Sequence, residues 1–178
     1  FNGYLFGTET IEAIKVDGAN RKWVGTFSSG LFQISEDGQD QLHSFTSENS
    51  PLSDNKISDI AIIPNTGEVF IATETGLVSY RGNATTGATN MDNIKVFPNP
   101  VKQNYTGPIA ISNLASGSQV RITDVNGRLI HETTSLGGQA TWPGTDLNGD
   151  RLNAGVYLIN VSTSDADQGV TSKILFLK

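Results

Sequence analysis

Ile11-Glu-Ala-Ile-Lys-Val16 returns 46 residues later as Ile57-Ser-Asp-Ile-Ala-Ile62, and the residues behind each copy return with it. Trp23-Val-Gly-Thr26 matches Phe70-Ile-Ala-Thr73 at a spacing of 47, and Gly30-Leu31 matches Gly76-Leu77 at 46 again. One copy therefore carries a single-residue indel. A period of this length fits four-stranded propeller blades. Each Ile-x-x-Ile-x-Val/Ile run predicts a short strand with buried apolar neighbours. Asp17-Gly-Ala-Asn20 and Pro64-Asn-Thr-Gly67 predict turns, because Gly, Asn and Asp tolerate the backbone that tight hairpins need. The β-branched and aromatic runs at Trp23 and Phe70 predict a second strand. A third follows each Gly-Leu pair, and Leu42–Thr46 supplies a fourth before Asn49-Ser-Pro-Leu-Ser-Asp-Asn55 leads into the next blade. No helix is needed.

Composition agrees with many short strands. Of 178 residues, 37% are hydrophobic and 17% charged, below the usual roughly 45–50% and about 25%. Without Cys there is no disulfide framework and no thiolate metal site. No apolar run approaches the roughly 18 residues of a membrane-spanning helix. A net charge of −6 argues against nucleic acid, which calls for clustered Lys and Arg. The chain opens on Phe1 without a signal peptide, so it is expected to be a fragment with further blades upstream and Lys178 as its natural end.

Charge divides the chain. Residues 1–92 carry 5 basic and 12 acidic side chains, net −7; residues 93–178 carry 7 and 6, net +1. At the break, Arg81-Gly-Asn-Ala-Thr-Thr-Gly-Ala-Thr-Asn90 has too little apolar surface to offset its chain entropy. The expected organisation is all-β: a partial β-propeller of about two blades over 1–82, a polar linker over 83–92, and an Ig-like β-sandwich over 93–178.

In the last segment turn signals come every eight to twelve residues, the spacing of a sandwich. Strands are expected at Ile94–Phe97, Pro108–Ser112, Gln119–Asp124, Arg128–Thr133, Gln139–Trp142, Gly155–Ser162 and Thr171–Leu177. Asp124-Val-Asn-Gly127 is a hairpin turn. Val120, Ile122 and Leu129 are expected to face the core, with Arg121 and Arg128 in water. The nearly continuous apolarity of Gly155–Ser162 predicts a central strand buried on both faces.

Two families carry these patterns. Phe45-Thr-x-x-Asn49-Ser-Pro-Leu52-x-x-Asn55-x-Ile57-x-x-Ile60, with Trp23-Val-Gly-Thr or Phe70-Ile-Ala-Thr and Gly-Leu, resembles the two-component-regulator type propeller repeat over about residues 8–82. It departs from that repeat at Phe70, where Trp is usual, and at Pro64, where Asp is common. Residues 93–178 resemble the C-terminal sorting domain of the type IX secretion system of Bacteroidetes-type bacteria. The matching motifs run in order: Val96-Phe97-Pro98-Asn99-Pro100, then Val120-x-Ile-x-Asp124-x-x-Gly127-Arg128, Trp142 with Gly144, Leu152-x-x-Gly155-Val-Tyr157-Leu-Ile-x-Val161, and Lys173-Ile-Leu-Phe-Leu-Lys178.

The resemblance implies a signal that carries a periplasmic protein through the outer membrane to the cell surface. There, in typical cargo, a signal peptidase removes the domain and joins the new end to anionic lipopolysaccharide. The terminal strand would be its handle, offering an exposed edge for strand addition. A propeller joined directly to such a domain resembles surface components of the system. The expected function is therefore non-enzymatic: binding anionic lipopolysaccharide or another glycan and docking to the translocon and the sorting peptidase/attachment complex. The alternatives are ordinary cargo with a glycan- or protein-binding propeller and a removable signal, or the periplasmic sensor propeller of a hybrid two-component regulator.

Catalytic chemistry finds little to build on. His43 and His131 are in different segments, and Ser44 beside His43 points to the opposite face of a strand; no Gly-x-Ser-x-Gly elbow is present. Asp146-Leu-Asn148-Gly-Asp150 has calcium-type oxygens but not the spacing of an EF-hand, and a hairpin turn explains it. No metal and no cofactor is expected. Asn83, Asn104 and Asn160 each open an Asn-x-Ser/Thr triplet, but a bacterial source argues against glycosylation there. Aromatics concentrate in the first segment at Phe1, Tyr4, Phe6, Trp23, Phe27, Phe32, Phe45, Phe70 and Tyr80. Trp23 and Phe70 are expected between blades. Phe27, in a Thr26–Gly30 loop one residue longer than its counterpart, is the candidate for stacking on a sugar. A net −7 segment repels an anionic glycan, so Lys95, Lys102, Arg121, Arg128 and Arg151, or missing blades, would supply the positive contacts.

Overall fold

The computed structural model describes residues 6–163 and 169–178, so Phe1 and Tyr4 lie outside the described residues. All regular structure among the described residues is β. Contacts divide the chain into two units between Thr85 and Thr86.

The first unit holds two antiparallel sheets, one per copy of the repeat. Strands β1 (Ile11–Val16), β2 (Lys22–Thr26), β3 (Leu31–Ile34) and β4 (Gln41–Phe45) pair in sequence order, as do β5 (Ile57–Ile62), β6 (Glu68–Thr73) and β7 (Leu77–Arg81). The copies share their turn chemistry. The Thr26 hydroxyl donates to Gly30 O at 2.8 Å and Thr73 to Gly76 O at 3.0 Å, each closing the β-hairpin after the Thr. These are propeller blades, and the second follows the first by inserting apolar knobs into it. Gly25 on β2 is where the knob fits: a Cβ there would lie 2.5 Å from Ile57 Cγ2.

Burial separates the copies where the sequence pattern makes them equal. Ile60 is 1% exposed, its counterpart Ile14 56%; Leu31 is 1% exposed, its counterpart Leu77 66%. The expectation of buried neighbours thus holds for β5 and fails for β1, whose Ile11, Ile14 and Val16 are exposed. Trp23 packs on Phe45 (6.0 Å) and on Tyr80 of the next sheet (5.5 Å), whereas Phe70 is only half-buried on the open side of the second sheet.

The second unit is an Ig-like sandwich. One sheet runs β11 (Leu129–Thr134), β10 (Gln119–Asp124), β13 (Gly155–Ser162), β14 (Gly169–Phe176); the other runs β12 (Gln139–Trp142), β9 (Ile109–Ser112), β8 (Lys95–Phe97). Their inner faces bury one core that includes Ile111, Val120, Ile122, Trp142, Ile159 and Phe176. Two expectations change. Strand β13 is internal to its sheet but buried on one face: Ile159 and Val161 are buried while Val156 is exposed. A register shift in the β10–β11 ladder pairs Ile122 with His131 and Thr123 with Leu129, so Ile130 enters the core and Leu129 faces out. Within 83–92, expected as a polar spacer, Ala84, Thr85 and Met91 are buried. Met91, the segment's one large apolar side chain, joins the sandwich core, and Ala88 N–H donates to Leu114 O at 2.7 Å.

Candidate functional site

The sorting-type motifs converge on one end of the β10–β13–β14 sheet. Asp124 lies opposite Tyr157, and Tyr157 opposite Ile174; one rung further, Gly155 lies opposite Phe176. Tyr157 and Phe176 meet edge to face at 5.4 Å, and the Tyr157 hydroxyl donates to Asn153 O at 3.1 Å. Burial pushes that phenol's pKa up. Gly155 meets no crowding, since an added Cβ would touch only the Tyr157 ring at 3.9 Å. Lys173 and Lys178 are exposed.

Asp124 and Gly127 build the β10–β11 turn. Gly127 takes φ +84°, a backbone that L side chains rarely adopt. Asp124 Oδ1 accepts from Asn126 N (2.9 Å) and Arg128 N (3.0 Å). The Arg128 backbone N–H is the main reason its carboxyl is held below the ordinary range, with the Asn126 N–H and the Arg128 guanidinium adding to it.

The Val96–Pro100 motif has a specific task that its sequence did not disclose. Val96 pairs with β9 and packs on the core, while Phe97 is exposed. The chain then passes through Pro98-Asn99-Pro100, both X-Pro bonds being cis, and reaches the outer edge of β14. There the Asn99 side chain acts as a peptide group. Its Nδ2 donates to Lys173 O at 2.9 Å, and its Oδ1 accepts from Leu175 N at 3.1 Å. Val101 continues the rung in parallel: its N–H donates to Leu175 O (2.7 Å) and its carbonyl accepts from Leu177 N (2.9 Å). The terminal strand's edge, expected to be exposed, is therefore closed from Lys173 O to Leu177 N. Val101 belongs to this arrangement and was missed: it bonds through its backbone while its side chain is buried in the sandwich core.

The remaining candidates are dispersed. Phe27 is 49% exposed, with Lys56 Nζ 4.9 Å from its ring centroid and Glu74 3.3 Å from Lys56. A groove of about 320 Å³ in the first unit is lined by Phe45, Leu52, Val78, Tyr80 and Arg81 among others. His43 is exposed beside Phe45. His131 has a buried Nδ1 with no hydrogen-bond partner among the described residues, and burial pushes its pKa down against the pull of Glu132. Asp146 Oδ1 accepts from Asn148 N and Asp150 N, making it the anchor of a turn like that of Asp124. Among the described residues no three His, Asp or Glu side chains converge as metal ligands. Of the basic candidates, Arg121 pairs with Glu132 (3.5 Å) and Arg128 with Asp124 (3.3 Å), while Arg151 donates to Lys102 O (3.3 Å). Lys95 and Lys102 are exposed. No helix of the described residues is long and apolar enough to cross a membrane.

Residues 95–176, most of the second unit, match the family described as the secretion system C-terminal sorting domain. Over 96% of its length the chain is similar to PorZ, a surface component of the type IX secretion system of Porphyromonas gingivalis, at 33% identity and a TM-score of 0.64. It spans 23% of that chain. It is also similar to the extracellular domain of a one-component system from B. thetaiotaomicron, at 14% identity and a TM-score of 0.35 over 99% of this chain and 26% of that one. A hybrid two-component extracellular domain from the same organism gives 10% identity and 0.38 over 99% and 40%. No curated protein matches. The chain is thus PorZ-like over nearly its whole length, with propeller blades followed by a match to a secretion-system sorting domain.

Proposed function

We propose that this chain is part of a non-enzymatic surface component of the type IX secretion system, held at the extracellular face of the outer membrane. It binds anionic lipopolysaccharide and docks to the sorting peptidase and attachment complex through its sorting domain. The observation that carries this reading is the direct succession of blades and sorting domain in one chain, similar throughout to PorZ. The electrostatics favour a divided task. A net −7 on residues 1–92 suits protein contacts, whereas an anionic glycan meets a better surface on residues 93–178, at net +1 with Lys95 and Lys102 exposed. Phe27 with Lys56 above it is the blades' own candidate for a sugar.

The test is the intact mass of the native protein taken from the source cell surface. A sorting domain still attached supports a resident component. Loss of everything beyond roughly residue 90, with added glycolipid mass, overturns the reading in favour of ordinary cargo. A second measurement isolates the ligand: binding to purified anionic lipopolysaccharide is expected to weaken with salt and with Lys95→Glu/Lys102→Glu.

A further inference from the structure

Resting on the reading of the second unit as a sorting signal, the geometry points to a short, defined strand-acceptor site on β14, bounded by Asn99. Alternate residues of a strand present their N–H and C=O to the same edge. Lys173 O, Leu175 N, Leu175 O and Leu177 N face outward, because Asn99 and Val101 hold them there. The outward groups earlier in the strand are those of Gly169 and Thr171, with Lys173 N, and among the described residues none of them has a partner on that side. The edge is thus closed at its C-terminal end and open over Gly169–Lys173. Asn99 marks the boundary with a side chain, so an added strand pairs with Thr171 and stops there in a fixed register.

The flanking surface defines the partner. On the solvent face of the sheet Thr171, Lys173 and Leu175 lie opposite Asn160, Leu158 and Val156. Val156 and Leu175 are exposed, and Lys173 has no carboxylate within ion-pair distance among the described residues. An extended segment of a partner protein that pairs with Thr171 and carries a carboxylate beside Lys173 satisfies both the edge and the face. Side-chain closure by Asn99 also explains how a soluble edge is kept from longer, unspecific pairing.

The experiment follows surface export of the full-length protein in its own cells, with folding of each variant checked by Trp142 fluorescence in urea. Thr171→Pro removes an edge donor that the β13 ladder does not use, a placement that edge strands tolerate. It is expected to block export, while Thr171→Val, which keeps the donor, exports normally. Lys173→Glu is expected to reduce export and keeps the site testable should Thr171→Pro fail to fold. Asn99→Ala removes the boundary and is expected to speed hydrogen exchange at Leu175 by about tenfold, the net worth of one hydrogen bond. Deleting Lys173–Lys178 tests the sorting reading itself. Export blocked by the deletion but untouched by Thr171→Pro or Lys173→Glu overturns the acceptor site and leaves the sorting reading standing. Export despite the deletion overturns both.

Discussion

Trp23 and Trp142 are each fully buried, but by different neighbours. Trp142 lies between the two sheets of one sandwich, against Phe176 at 5.6 Å and His131 at 6.3 Å, and its indole N–H donates to Thr145 O. Trp23 is covered by the next copy of its own repeat, through Tyr80. A sandwich closes its core within itself, whereas a blade receives its last wall from another blade. The same residue type in the same pattern is therefore core in one copy and surface in the next.

The sharpest way to break this comparison is a matched pair on equivalent strands. Ile60→Ala removes a side chain seated against the first blade and is expected to destabilise the first unit by about 3 kcal/mol. Ile14→Ala, at the same place in the repeat, is expected to cost less than about 0.5 kcal/mol in this chain. Urea unfolding followed by Trp23 fluorescence in a Trp142→Phe background reads the unit concerned. Equal losses at both positions would show that β1 has a wall that residues 6–163 do not supply.

How much of this was legible follows from periodicity and its limits. The 46-residue repeat placed the three strands that the two copies share, and the turn spacing in residues 93–178 placed every sandwich strand to within two residues. Periodicity says which residues share a face, not what lies against it, so Ile14 and Val156 read as core and are exposed. Leu129 and Ile130 exchanged roles because a register shift leaves no mark in the pattern of apolar residues. The sorting motifs were legible as a list of residues. That Asn99 reaches across 74 positions to Lys173 is a tertiary fact, and no local spacing encodes it.

A second pair compares turns of one design in the two units. Asp17 and Asp124 each accept from backbone N–H groups two and four residues on and from an Arg Nε at the fourth. Asp17 is buried and also takes the Trp23 Nε1–H at 3.1 Å; Asp124 is at the surface of its hairpin. Asp17→Ala strands an indole N–H and a largely buried guanidinium, and is expected to cost about 2 kcal/mol. Asp124→Ala is expected to cost much less. Because its folded pKa lies below the unfolded value, Asp124's contribution is present above that value and fades as pH falls through the folded one. Thermal unfolding of both variants at neutral pH ranks them, and a larger loss for Asp124→Ala would reverse the comparison.

The smallest effect distinguishes the closed core by its response to acid. Burial holds the folded pKa of His131 below its ordinary value near 6.5, and its buried Nδ1 has no hydrogen-bond partner among the described residues. Between the folded value and about 6.5 the unfolded chain binds the proton and the folded one does not. Stability of the second unit therefore rises with pH across that window and falls as the solution is acidified through it. His43, exposed in the first unit, has no such buried site. Urea midpoints at pH 7.5 and 5.5, read from Trp142 in a Trp23→Phe background, are expected to fall for the parent and to hold more nearly level for His131→Gln. An unchanged slope in that variant would assign the acid response to the carboxylates instead, and the buried imidazole would then be only a packing group beside Trp142.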